Sequence, residues 1–246
     1  MLEIKNLNFK LKDKIILNNI NLKLKDNKIT VMIGKNGSGK STIIKAINRL
    51  IKYDGLINLD GCNILEYKSR EKAQKIAILP QHLEIVPITV NDLVSMGRNP
   101  YLGLMGKLTD NDKNIVNYAI NILDLNKIRN QFLNTLSGGE LQKAYLAMML
   151  AQDTQYLIFD EPTTFLDVDF EGYFLEKLKD VQNDKTILVV LHNITKAIEI
   201  ADEIIIVDNG EIIYNDTKEE LLNTTIIEEI FNVKKYQVDN KIFYTK

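Results

Sequence analysis

The chain has 246 residues, 45% of them hydrophobic, enough for one large or two small domains with a substantial core. A formal charge of −2 leaves no overall basic excess to draw it to nucleic-acid phosphates, and a single cysteine, Cys62, excludes an internal disulfide framework. No apolar run is long enough to span a bilayer, and Met1–Lys5 lacks the apolar segment of a signal peptide. The expectation is a soluble, cytosolic protein that reaches any membrane through a partner, with Cys62 packed inside.

Leu2, Ile4, Leu7, Phe9 and Leu11 fall mostly at even spacings, as do Ile20, Leu22 and Leu24, which predicts antiparallel strands with one wet face. Asp26-Asn27 then turns the chain into an apolar strand, Ile29 to Ile33. Gly34-Lys35-Asn36-Gly37-Ser38-Gly39-Lys40-Ser41-Thr42 follows, matching the phosphate-binding pattern G-x-x-x-x-G-K-[ST]. After it a helix pattern carries Ile43, Ile44, Ile47, Leu50 and Ile51 on one stripe.

That strand–loop–helix setting is what the pattern requires. Glycines let the backbone wrap a polyphosphate so that successive N–H groups and the helix N-terminus face the anion. Lys40 supplies charge to the β- and γ-phosphates, and the Ser41 hydroxyl is placed to bind Mg²⁺.

Asp54-Gly55 and Asp60-Gly61 punctuate a short strand at Leu56–Leu59, a brief helix is expected near Lys68–Gln74, and a buried strand, Ile76–Leu79, is stopped by Pro80. From about residue 83 to 154 helical periods take over, for example Ile115, Ala119, Ile122 and Leu123, which reads as an inserted helical subdomain. Within it a short helix ends at Gly97 and Pro100 with Arg98 exposed. Buried strands Tyr156–Phe159 and Thr186–Leu191 flank a helix bearing Phe170, Phe174 and Leu178. Strand Glu203–Val207 meets a hairpin signal at Asn209-Gly210, and a helix around Thr225–Phe231 closes the pattern. The fold class is α/β: a phosphate-loop core with a mostly parallel sheet, an N-terminal antiparallel β part and the helical insertion.

Two further stretches carry chemistry. Leu157-Ile158-Phe159-Asp160-Glu161 is an apolar strand ending in two carboxylates, one suited to holding Mg²⁺ and the other to orienting or deprotonating water. An acidic pair at a strand end is also a common solvated loop; the phosphate loop decides for catalysis. Ser137-Gly138-Gly139-Glu140 precedes a helix with Leu141, Tyr145 and Met148 roughly along one face. A capping box explains Ser137 and Glu140. It does not require two glycines, which cost helix stability unless backbone must approach something closely.

The phosphate loop, Leu136-Ser137-Gly138-Gly139-Glu140, Asp160-Glu161 and a lone histidine after a later strand, His192, occur here in an order and spacing that resemble the ATP-binding cassette ATPases. The resemblance covers residues 1–246 as a single nucleotide-binding domain. It implies ATP and Mg²⁺ as ligands, with Ser41, Asp160 and Gln81 near the ion. It implies that Glu161 activates water, that His192 hydrogen-bonds the γ-phosphate, and that Asp167 of Phe165-Leu166-Asp167 lies at a dimer interface. Ser137, Gly138 and Gly139 would close over ATP held by a second copy. Departures are Lys35 where proline is usual, Asn193 where aspartate is common, and Leu11 where an aromatic stacks on adenine, with Phe9 two residues early.

The run Val90 to Tyr101, with Gly97-Arg98-Asn99-Pro100, resembles a segment of ATPases serving importers of iron–siderophore complexes, haem and cobalamin, and Leu150 to Thr154 points to the siderophore side. The resemblance implies docking of a membrane permease near Gln81–Tyr101, an indirect link to a substrate-binding protein, and a place on the cytoplasmic face of the membrane. A cassette ATPase acting on DNA or the ribosome would carry a coiled-coil insertion, two linked cassettes or a basic excess, and a binder without turnover would not need Lys40, Asp160, Glu161 and His192 together.

Overall fold

The computed structural model describes residues 1–103, 106–164, 166–239 and 241–245; Phe165 therefore lies outside the described residues. The chain divides into two compact units, 1–66 with 175–246, and 67–174.

In the first unit, β1 (Leu2–Leu11) and β2 (Lys14–Leu24) pair antiparallel, burying Leu2, Ile4, Leu7, Leu17, Ile20, Leu22 and Leu24 while alternate positions stay wet. β3 (Ile29–Ile33) is buried along its whole length and delivers the chain to the phosphate loop and α1 (Lys40–Ile47). α1 is shorter than its apolar stripe predicts. Arg49 adopts φ 64° just past the end, so Leu50 lies outside the helix and is 66% exposed. β4 (Asp54–Leu59) and β5 (Cys62–Asn63) complete an antiparallel sheet in the order β2-β1-β4-β5. Cys62 is exposed, against the expected core position, because it occupies this two-residue strand at the end of the sheet order.

The second unit begins with α2 (Ser69–Lys75) and β6 (Ile76–Leu79). Helices α3 (Val90–Met96), α4 (Asp110–Ile122) and α5 (Gly138–Ala151) follow, and β7 (Tyr156–Asp160) pairs parallel with β6. Thr89, Thr109 and Ser137 cap the three helices in reciprocal boxes with Asp92, Asp112 and Glu140. α5 carries Leu141, Tyr145 and Met148, and no residue from Glu140 to Ala151 is exposed. Seven of its residues are buried, and α3 and α4 both pack on it. α6 (Val168–Val181) turns Phe170 and Phe174 inward, Phe174 meeting Phe159 edge-on at 5.6 Å.

Arg98 corrects a further expectation. It is only 5% exposed, and its guanidinium donates to Asp112 Oδ1 at 2.8 Å and to the Ala151 carbonyl at 2.9 Å. A buried cation requires this kind of partnership. Gly97 beside it is equally constrained, since a Cβ there would lie 2.3 Å from the Met148 carbonyl oxygen and 3.1 Å from Gln152 N, both in or next to α5. Gly97→Ala forces backbone apart and is expected to cost about 1–3 kcal/mol in urea unfolding; a midpoint equal to the parent's would refute this packing.

Back in the first unit, β8 (Thr186–Val190), α7 (Ile194–Ile200), β9 (Glu203–Asp208) and β10 (Glu211–Thr217) give the strand order β10-β9-β3-β8. β3 is parallel to both neighbours; β10 is an antiparallel edge formed by the Asn209-Gly210 hairpin. α8 (Lys218–Leu222) and α9 (Ile226–Phe231) follow. The chain does not close on that helix. A hairpin, β11 (Lys234–Val238) with β12 (Lys241–Thr245), follows, and the Tyr244 amide donates to Thr195 Oγ1 of α7 at 3.2 Å.

Candidate nucleotide site

β3 ends at Gly34, which is buried so closely that a Cβ would lie 2.2 Å from the Val207 carbonyl oxygen and 2.7 Å from Ser38 Oγ. Lys35, Asn36 and Gly37 form the exposed crest of the loop. Gly39 holds φ 113° under β2, where a Cβ would press on Leu17 Cδ2 at 2.7 Å. These constraints are steric, and they leave glycine as the residue that fits.

Lys40 is 5% exposed, and its ammonium donates to the Gly34 and Lys35 carbonyls at 2.8 and 3.0 Å. Ser38 Oγ is buried without a partner among the described residues. α1 starts without a side-chain cap and without an acid in its first turn. An orphaned hydroxyl, an uncapped helix start and a buried ammonium are the chemistry that fits a phosphate chain. Ser41 and Thr42 follow in the first turn, half-buried. His192 is exposed two residues ahead of α7, whose N-cap is Asn193.

Gly210 is a residue that sequence reading had assigned only to a turn. Its amide donates to the Ser38 carbonyl at 2.9 Å and its carbonyl accepts from the Asn18 amide at 2.8 Å. The β9–β10 hairpin and β2 thus brace the phosphate loop from behind. The Asn-Gly pair signalled the turn; nothing in its spacing signalled the loop. Of the two candidates beside the base, Phe9 is half-buried and Leu11 is 60% exposed.

The second unit holds the remaining residues. Asp160 ends β7 and is 4% exposed. Glu161 follows in the left-handed region at φ 55°, and its Oε2 accepts from Gln81 Nε2 at 2.6 Å. The two residues are 80 positions apart in sequence, brought together by the parallel pairing of β6 and β7. Gln142 of α5, 3% exposed, donates to the Pro162 carbonyl at 2.8 Å and fixes the turn beyond Glu161; sequence reading did not single it out.

Ser137 Oγ accepts from the Glu140 amide at 3.4 Å, while Glu140 Oε2 accepts from the Ser137 amide and hydroxyl at 2.9 and 2.7 Å. The Ser137 hydroxyl beside Glu140 lowers that carboxyl below its ordinary pKa, and the Ser137 amide adds to the effect. Ser137 and Gly138 themselves are exposed, Gly139 half-buried, at the tip of α5. Asp167 Oδ1 accepts from the Phe170 amide at 2.7 Å and so caps α6. No group of three His, Cys, Asp or Glu side chains among the described residues could hold a metal unaided. Ser41 in the first unit and Asp160 in the second are each hard oxygen donors, the ligand type that Mg²⁺ takes alongside phosphate and water.

This chain belongs to the ABC transporter family, whose profile matches residues 17–164. It is 38% identical over 237 residues to the petrobactin import ATP-binding protein YclP of Bacillus subtilis (strain 168), covering 95% of this chain and 93% of that one. It is 34% identical over 245 residues to the achromobactin transport ATP-binding protein CbrD of Dickeya dadantii (strain 3937), covering 98% and 91%. Among solved structures, the dimeric bacterial ABC transporter cassette MJ0796 superposes with a TM-score of 0.79 at 26% identity, over 89% of this chain and 99% of that one. The α/β phosphate-loop fold expected from the sequence is therefore the fold of the chain. No helix among the described residues is long and apolar enough to cross a membrane.

Proposed function

We propose that this chain is the ATP-hydrolysing subunit of an importer for iron–siderophore complexes. The observation that carries the reading is the near full-length similarity to import and transport ATP-binding proteins named for two different siderophores. Residues 1–246 act as one nucleotide-binding domain, and the insertion at about 83–154 carries the Ser137–Glu140 signature.

Gly34, Asn36, Gly37, Ser38, Gly39 and Thr42 cradle the triphosphate, and Lys40 balances charge at the β- and γ-phosphates. Ser41 and Asp160, with the Gln81 amide, hold Mg²⁺, which when bound neutralises phosphate charge. Glu161 takes a proton from water as the water oxygen bonds to the γ-phosphorus; the bond to the β–γ bridging oxygen breaks, releasing ADP and phosphate. Gln81, already 2.6 Å from Glu161, steadies that carboxylate, and His192 hydrogen-bonds the γ-phosphate.

Ser137, Gly138, Gly139 and Glu140 of a second copy close the site, with Asp167 at the interface. Closure is driven by contacts that ATP makes only in the associated pair. The pair is peripheral to the cytoplasmic face of the membrane, held there by permease subunits that dock near Gln81–Tyr101, with a substrate-binding protein beyond them and no nucleic acid involved.

Deleting the gene and measuring uptake of radio-iron carried by catecholate, hydroxamate and carboxylate chelators tests the cargo. Loss of uptake for at least one chelate class, restored by the parent gene and not by the Glu161→Gln form, is expected. Uptake unchanged for all of them would reject an iron-chelate importer.

A further inference from the structure

We propose that Arg98 is a positioning residue for the signature helix, setting where the tip of α5 stands by gripping its opposite end. The inference rests on the reading above, that Ser137–Gly139 close on a nucleotide.

α5 runs from Gly138 to Ala151, about 20 Å at the α-helical rise. Ser137 is at one end; the Ala151 carbonyl that accepts from Arg98 Nη1 at 2.9 Å is at the other. A cation on the last carbonyls also suits the negative end of the helix dipole. The same guanidinium donates from Nε to Asp112 Oδ1 at 2.8 Å and lies 4.1 Å over the Tyr101 ring. Asp112 Oδ2 in turn accepts from the Thr109 hydroxyl at 2.6 Å, at the head of α4. One planar group thus ties together α4, α5 and the turn at 97–102.

That turn is gripped from its other side as well. Arg70 Nε and Gln74 Nε2 donate to the Pro100 carbonyl at 2.8 and 2.6 Å, and Arg70 Nη2 donates to the Leu102 carbonyl at 2.6 Å. Gly97 lies so close to α5 at Met148 that no side chain fits between them. Met96 and Asn99, on either side of this pair, are exposed. Met96 and Asn99 thus flank the Gly97–Arg98 pair that grips α5, and α5, with no exposed residue from Glu140 to Ala151, is placed to carry a displacement there to Ser137.

The test uses the full chain in the Glu161→Gln background, where ATP-driven association is measured by sedimentation. Arg98→Lys keeps a charge for Asp112 but loses the planar fork that reaches Ala151 at the same time; Arg98→Met loses both. Both variants are expected to bind ATP as single chains within about twofold of the parent and to associate at least tenfold more weakly. The hydrogen-bonded amides of Glu140 and Leu141 should exchange faster in Arg98→Lys. A purely structural role predicts faster exchange near Met148 and Ala151 only, with association unchanged, and that result would overturn the proposal. If Arg98→Met fails to fold, Arg98→Lys alone decides. A parent that never associates with ATP would remove the two-copy reading, and this inference with it.

Discussion

Replacing Glu161 with glutamine is expected to slow ATP hydrolysis by about 10²- to 10⁴-fold, the usual contribution of a positioned general base, while ATP binding persists and ATP-bound pairs accumulate. The geometry explains why the loss should be chemical. Glu161 holds φ 55°, a conformation that costs a non-glycine residue on the order of 1–3 kcal/mol and survives only where neighbours enforce it. Here they do. Gln81 grips the carboxylate at 2.6 Å, and Gln142 pins the following Pro162 carbonyl at 2.8 Å. Glutamine has the same shape, and its amide oxygen can still accept from Gln81, so the side chain stays where it was and loses only its capacity to take a proton. Phosphate release and gel filtration with ATP read the two halves separately. A near-parental rate would remove Glu161 from the mechanism; a slow rate without accumulation of pairs would separate hydrolysis from association.

That constellation was legible in pieces. Ile29–Ile33 and Ile76–Leu79 were readable to the residue, because a largely buried strand is a mostly apolar run and Gly34 and Pro80 stop it. The phosphate loop was equally plain because its glycines, Lys40 and Ser41 stand at a fixed local spacing, although the clashes that demand Gly34 and Gly39 come from the distant Val207 and Leu17. Gln81 was different. Its partner stands 80 residues away, and only resemblance to a family drew attention to it. Arg98 was misread for a related reason: its burial depends on Asp112, 14 residues on, and on a backbone carbonyl, neither of which leaves a periodic trace. Gln142 and Gly210 act through backbone carbonyls too, and a carbonyl carries no sequence signal. The terminal hairpin escaped because Lys234–Val238 and Lys241–Thr245 mix charged, aromatic and aliphatic residues without the long apolar run that marked the core strands. Non-local polar pairing is where reading by periodicity runs out.

Lys40→Ala is expected to weaken ATP binding by roughly ten- to hundred-fold, the equivalent of about 1.5–3 kcal/mol for a hydrogen bond to a charged group. Under the proposed function Lys40 has two roles, both carried by its ammonium, that the substitution removes together. Its ammonium is held 2.8 and 3.0 Å from the Gly34 and Lys35 carbonyls, so it braces the loop, and the phosphate-loop pattern gives it the charge that meets the β- and γ-phosphates. Lys40→Met removes the ammonium but restores the packing of the stem. Its unbranched stem refills most of the buried volume, so the melting temperature should recover toward the parent's, while neither the charge nor the donor returns. Calorimetry should then find both variants equally poor at binding ATP despite their different stabilities. Should Lys40→Met bind like the parent, the ammonium is not needed for the nucleotide, and phosphate recognition would fall to the backbone amides and the start of α1.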